Sequence, residues 1–114
     1  MFLIAVTGVI LLAGCGKTPI VTTTGTGNLD TFAQCLSGAG VKMYGTATCS
    51  HCIKQKELFG ASFKYINYVD CIVAPTMCSS IAGTPTWRFA DGSSLLGEQS
   101  LETLAAKTNC ALPK

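Results

Sequence analysis

One tetrapeptide, Cys49-Ser50-His51-Cys52, constrains this chain more than any other stretch. It follows an apolar run, Val41-Lys42-Met43-Tyr44-Gly45, and opens a segment that reads as a helix from Cys49 to about Phe59. At such a strand-to-helix junction the first helical turn presents unpaired N–H groups and the positive end of the helix dipole, and both stabilise a thiolate. The two-residue spacer brings the sulfurs within bonding reach. The pattern predicts a redox pair in which Cys49, at the exposed helix start, attacks and Cys52, one turn further in, resolves the mixed disulfide. His51 is the one histidine of the chain; protonated, it favours the Cys49 thiolate. The same three side chains also suit a soft metal ion, copper or zinc, so a metal-binding module is a second expectation at this stage.

The segment Gly83-Thr84-Pro85-Thr86-Trp87 narrows the choice. A proline opening a strand gives no N–H to the ladder and is awkward there without a role. With both motifs in hand, the chain resembles the thioredoxin superfamily from about Val41 to Thr108. The resemblance implies a cis peptide at Thr84-Pro85, with the proline beside the Cys-x-x-Cys. It also implies that Thr84, Pro85 and Ser50 shape the groove for a substrate's extended backbone. Three departures from thioredoxin itself stand out. Met43 occupies the place of a buried acid, Thr48 that of a tryptophan, and Ser-His that of the Gly-Pro between the cysteines. A histidine in that dipeptide resembles periplasmic oxidases and disulfide isomerases, and the three changes point away from a cytosolic-type reductase.

A closer likeness covers about Leu29 to Cys110. Tyr44-Gly45, Cys-x-His-Cys, Gln55-Lys56-Glu57-Leu58-Phe59-Gly60, Tyr68-Val-x-Cys71 and Gly-x-Pro-Thr-Trp at 83–87 are similar to the thioredoxin-like domain attached to bacterial vitamin K epoxide reductase homologues. The chain departs from it in Ser50, where proline is common, and carries no membrane helices of that enzyme. The likeness implies two partners: the thiols and disulfides of exported proteins, and a quinone-linked membrane oxidoreductase. It calls for no cofactor of the chain's own.

Seven cysteines in 114 residues fit an oxidising compartment outside the cytosol. Phe2 to Ala13 is apolar and uncharged, too short for a bilayer span of roughly 20 residues but long enough for a signal-peptide core. It ends in Leu12-Ala13-Gly14-Cys15, which resembles the lipobox of bacterial lipoproteins. No Lys or Arg precedes the apolar run, so either the signal is weak or the start lies upstream. The expectation is a signal peptide over 1–14, a lipid on Cys15, a polar tether over 15–28 rich in Thr and Gly, and a folded domain over 29–114. Localisation is then extracytoplasmic and membrane-anchored. Setting Cys15 aside leaves an even cysteine count. Cys71 and Cys78 flank one short loop, and Cys35 and Cys110 stand at the two ends, where a bridge clips the leading helix to the C-terminus for roughly 4 kcal/mol. A second redox role for Cys71 and Cys78 stays open as the minority alternative, as does a disulfide-stapled lipoprotein without catalysis.

The remaining pattern gives an α/β chain. A helix from Leu29 to Ser37, capped by Asn28 or Asp30, precedes a strand from Val41 to Gly45. Phe63 to Val69 reads as the second strand, Thr76 to Ile81 as a short helix, Thr86 to Ala90 as the third strand and Ser94 to Gly97 as the fourth. Asp91-Gly92 is a hairpin signal, and Ser100 caps a last helix from Leu101 to about Thr108. Ile53, Leu58 and Phe59 are expected to turn inward from the active helix. The fold class is thioredoxin-like, a mixed four-stranded sheet flanked by helices with one extra N-terminal helix. A net charge of +2 without a block of like charge gives no case for nucleic acid, and no repeated apolar stripe calls for a second copy, so a monomer is expected.

Overall fold

The computed structural model describes residues 28–114. The expected signal peptide, Cys15 and the tether up to residue 27 lie outside the described residues. Helix α1 spans Asp30–Gly38. Its N-cap, Leu29, makes no side-chain cap; instead Asn28 Oδ1 accepts from the Asp30 N–H at 2.8 Å, and Asp30 Oδ1 accepts from Ser62 Oγ at 2.6 Å. Strand β1 (Lys42–Gly45) leads into α2 (Ser50–Phe59), and β2 covers Asn67–Asp70. A hairpin of β3 (Thr86–Arg88) and β4 (Ser94–Leu96) is followed by α3 (Leu101–Thr108).

The sheet has the order β2-β1-β3-β4. β1 pairs parallel to β2, with Met43 opposite Tyr68 and Gly45 opposite Asp70. It pairs antiparallel to β3, with Met43 opposite Trp87, and β3 pairs antiparallel to β4. This is the mixed four-stranded sheet flanked by helices that the sequence implies. β1 is the inner strand of the parallel crossover, and Met43, Tyr44 and Gly45 are all buried, as a strand covered on both faces must be. Phe32, Leu36, Val41, Met43, Phe59, Trp87 and Leu104 form the core. The Phe59 ring stacks on Phe32 and tilts against Trp87, with centroids 6.1 and 6.0 Å apart.

Three elements differ from the sequence pattern. The segment from Phe63 does not extend straight into a strand. Gly60 takes a left-handed φ of 57° at the end of α2, a conformation glycine adopts without steric cost, and Gly60–Tyr65 coils as a 3-10 helix. Phe63 thereby folds back edge-on to Phe59 and Tyr68, and the strand begins only at Asn67. The short helix expected at Thr76 to Ile81 is one 3-10 turn, Pro75–Cys78, closed by its disulfide. On α2, Ile53 and Leu58 are exposed and Gln55 is fully buried in their stead.

Candidate active site

The site is built where the C-terminal end of β1 meets the first turn of α2. Cys49 is the N-cap of α2 in extended conformation, and its sulfur accepts from the Cys52 N–H at 3.2 Å. A thiolate at this position takes the place of the usual capping oxygen, satisfying an orphan donor of the first turn. Cys49 is half-buried and Cys52 buried, and both are free thiols. The Thr84-Pro85 peptide is cis, as the resemblance implied, and it places Thr84 against the pair: the Cys49 thiol donates to the Thr84 carbonyl at 3.7 Å. Pro85 is buried beneath, with its carbonyl accepting from the Gly97 N–H at 2.7 Å.

The two sulfurs titrate apart. Burial pushes Cys49 up, but hydrogen bonds from the Cys52 thiol, the Thr84 hydroxyl and the Cys52 and His51 backbone N–H groups prevail, and its pKa lies below the ordinary thiol value. Cys52 is held above that value by burial first, then by its hydrogen bond to Cys49, whose charge adds to the effect. One thiol is thus poised as a nucleophile and the other is kept protonated beneath it.

The His51 ring has a partner far along the chain. Its Nδ1 lies 2.6 Å from Glu98 Oε1, on the exposed rim. The His51 backbone N–H helps hold the Cys49 pKa down, while its imidazole pairs with Glu98. Ser50 is exposed at the start of α2. Among the described residues no cluster of three or more His, Cys, Asp or Glu side chains gathers as a metal site. The structure closes Cys35–Cys110 and Cys71–Cys78 as disulfides.

Two further residues, part of the closer likeness but given no role by it, shape the site. Gln55 Oε1 accepts from Trp87 Nε1 at 2.9 Å and from the Gln99 N–H at 2.7 Å, and its Nε2 donates to the Gln99 carbonyl at 3.0 Å. It ties α2, β3 and the loop after β4 together behind the cysteines. Gly45 backs the buried thiol so closely that a Cβ there would stand 2.9 Å from Cys52 Sγ; only glycine fits. A glycine at a strand end is too common a signal to have found this role, and a helical glutamine reads as surface.

No protein-family profile matches the chain. Over 92 residues it is 40% identical to the thiol-disulfide oxidoreductase LTO1 of Arabidopsis thaliana, a match covering 71% of this chain and 24% of that protein. The chain is thioredoxin-like. The sheet, the cysteine pair at the start of α2 and the cis proline beside it all agree with that likeness. The thioredoxin-like chain spans about a quarter of the length of the relative it matches.

Proposed function

We propose that the protein is a thiol–disulfide oxidoreductase that exchanges disulfides with exported proteins outside the cytosol, held at the membrane by a lipid on Cys15. The observation that carries this is the juxtaposition of an exposed-edge Cys49 thiol, a buried Cys52 thiol and the backbone of Thr84-Pro85. In the oxidising direction a substrate thiolate attacks Cys49 of the 49–52 disulfide, and Cys52 leaves as a thiolate and takes up a proton. A second thiolate of the substrate then attacks the substrate sulfur of the mixed disulfide, the substrate's own disulfide forms, and Cys49 leaves as the stabilised thiolate. The substrate leaves oxidised, and the protein is left with two thiols. Thr84 and Pro85 seat the substrate backbone, and Ser50 stands at the rim. His51 orders the first turn of α2 through its backbone N–H and its pairing with Glu98. A quinone-linked membrane oxidoreductase is the proposed source of oxidising equivalents.

The oxidising direction is supported by Cys49. A stabilised thiolate favours the reduced protein, and a stable reduced form makes the disulfide a stronger oxidant. The two closed disulfides at Cys35–Cys110 and Cys71–Cys78 suit an oxidising compartment. The test is the reduction potential of the 49–52 pair, by equilibration with glutathione and trapping of free thiols. The expected value is roughly −120 to −180 mV. A value about −270 mV would overturn the direction, and a pair as resistant to reductant as the other two disulfides would overturn exchange altogether.

A further inference from the structure

The Tyr68 hydroxyl is the one buried side-chain polar atom without a hydrogen-bond partner among the described residues. Such an atom is rare and calls for an account. It lies beside the buried thiol: Cys52 Sγ and Tyr68 Oη stand within 2.9 and 3.4 Å of the point where a Gly45 Cβ would be. Glycine at 45 therefore leaves one small space shared by a phenol O–H and a sulfur. The neighbouring register position on β1 is Met43, which brings no polar group. Around the ring, Lys56 Nζ sits 4.1 Å above the centroid from α2, Phe63 packs edge-on, and Asp70 shares β2.

We infer that Tyr68 is the hydrogen-bond donor reserved for the Cys52 thiolate, the species that forms when the 49–52 bond opens and again when Cys52 attacks to resolve a mixed disulfide. While Cys52 is a thiol the phenol has no partner; once Cys52 carries charge, donor and acceptor match across the Gly45 space. A donor fixed in advance where charge develops stabilises that step selectively. Burial, then the charges of Asp70, Cys52 and Cys49, push the phenol up to about 12. It therefore remains a donor at any physiological pH and never adds a second negative charge beside the sulfur. The inference rests on the exchange chemistry proposed above and assigns its second step.

The test separates the two steps with an aromatic disulfide, dithiobis-nitrobenzoate, on the reduced protein under non-denaturing conditions. Cys49 thiolate attacks the reagent, forms the mixed disulfide and releases one coloured thiolate. Cys52 then loses its proton to buffer and attacks Cys49 Sγ. The Cys49–reagent bond breaks, the Cys49–Cys52 bond forms and a second coloured thiolate leaves. The protein is oxidised by two electrons and the reagent is reduced. Tyr68→Phe keeps the ring, its Lys56 contact and its Phe63 contact, and removes only the hydroxyl. The first release keeps its wild-type rate, the second slows about tenfold or more, and the midpoint of its pH profile moves upward. An unchanged second release overturns the inference, and so does an equal slowing of both. A wild-type protein that never gives the second release overturns the exchange reading itself and the inference with it, whereas a normal wild-type course with an insensitive Tyr68→Phe removes the inference alone.

Discussion

At the scale of single residues the site depends on groups outside the cysteine and proline motifs. Gln55 has no exposed surface yet offers both faces of its amide to the Trp87 indole and the Gln99 backbone. Replacing it by leucine keeps the volume and strands the buried indole N–H, at about 1–3 kcal/mol for one lost partner; the partly wet Gln99 groups add less. Gln55→Leu is expected to lower stability by about 2–4 kcal/mol in urea with an unchanged m-value. Thiol reactivity at Cys49 should stay near wild type in the folded variant, because none of Gln55's hydrogen bonds goes to either sulfur. A shift below about 0.5 kcal/mol would mean that water replaces the amide and that the tie is not structural.

At the scale of elements, most of the site was legible because its geometry is local. The helix start at Cys49 and the strand before it follow from apolar pattern and capping logic. The hairpin at Asp91-Gly92 follows from turn chemistry, with Gly92 at φ 89°. The stretch from Phe63 was not legible: its aromatic, β-branched residues read as strand, while Phe59 and Tyr68 pull Phe63 back over the end of α2, a tertiary preference that overrides propensity. The His51 ring was likewise placed by a residue far along the chain, Glu98, which no local pattern reveals. The cysteines differ by loop length. Cys35–Cys110 closes a separation of 75 residues and Cys71–Cys78 one of 7, which the chain-entropy account converts to about 4–5 and about 2–3 kcal/mol. Urea unfolding with 49–52 held reduced should show Cys35→Ala/Cys110→Ala losing roughly twice the stability that Cys71→Ala/Cys78→Ala loses. Equal losses would show that the small loop is held by more than its own closure.

At the scale of the whole molecule, stability and chemistry oppose one another around Tyr68. At neutral pH the buried phenol costs folding free energy while it lacks a partner, so Tyr68→Phe should be as stable as the wild type or more so. The pH dependence has a definite sign. Tyr68 is raised from 10.0 to about 12, so the folded chain keeps a proton that the unfolded chain gives up. Its contribution is fully present below pH 10.0 and is lost as pH rises through about 12. Cys52, raised mainly by burial, acts in the same sense from the ordinary thiol value of 9.0 upward. Cys49 acts oppositely, because its lowered value gives stability that is present above the ordinary thiol value and lost as pH falls through the folded one. Urea midpoints of the reduced protein should therefore fall between pH 10.0 and about 12, and fall less steeply in Tyr68→Phe, which retains the other tyrosines and so isolates this one. Parallel curves for the two proteins would mean that Tyr68 titrates alike in the folded and unfolded chains. The phenol would then not be closed off from water, and the space it shares with Cys52 would not be dry enough to reserve its proton for the sulfur.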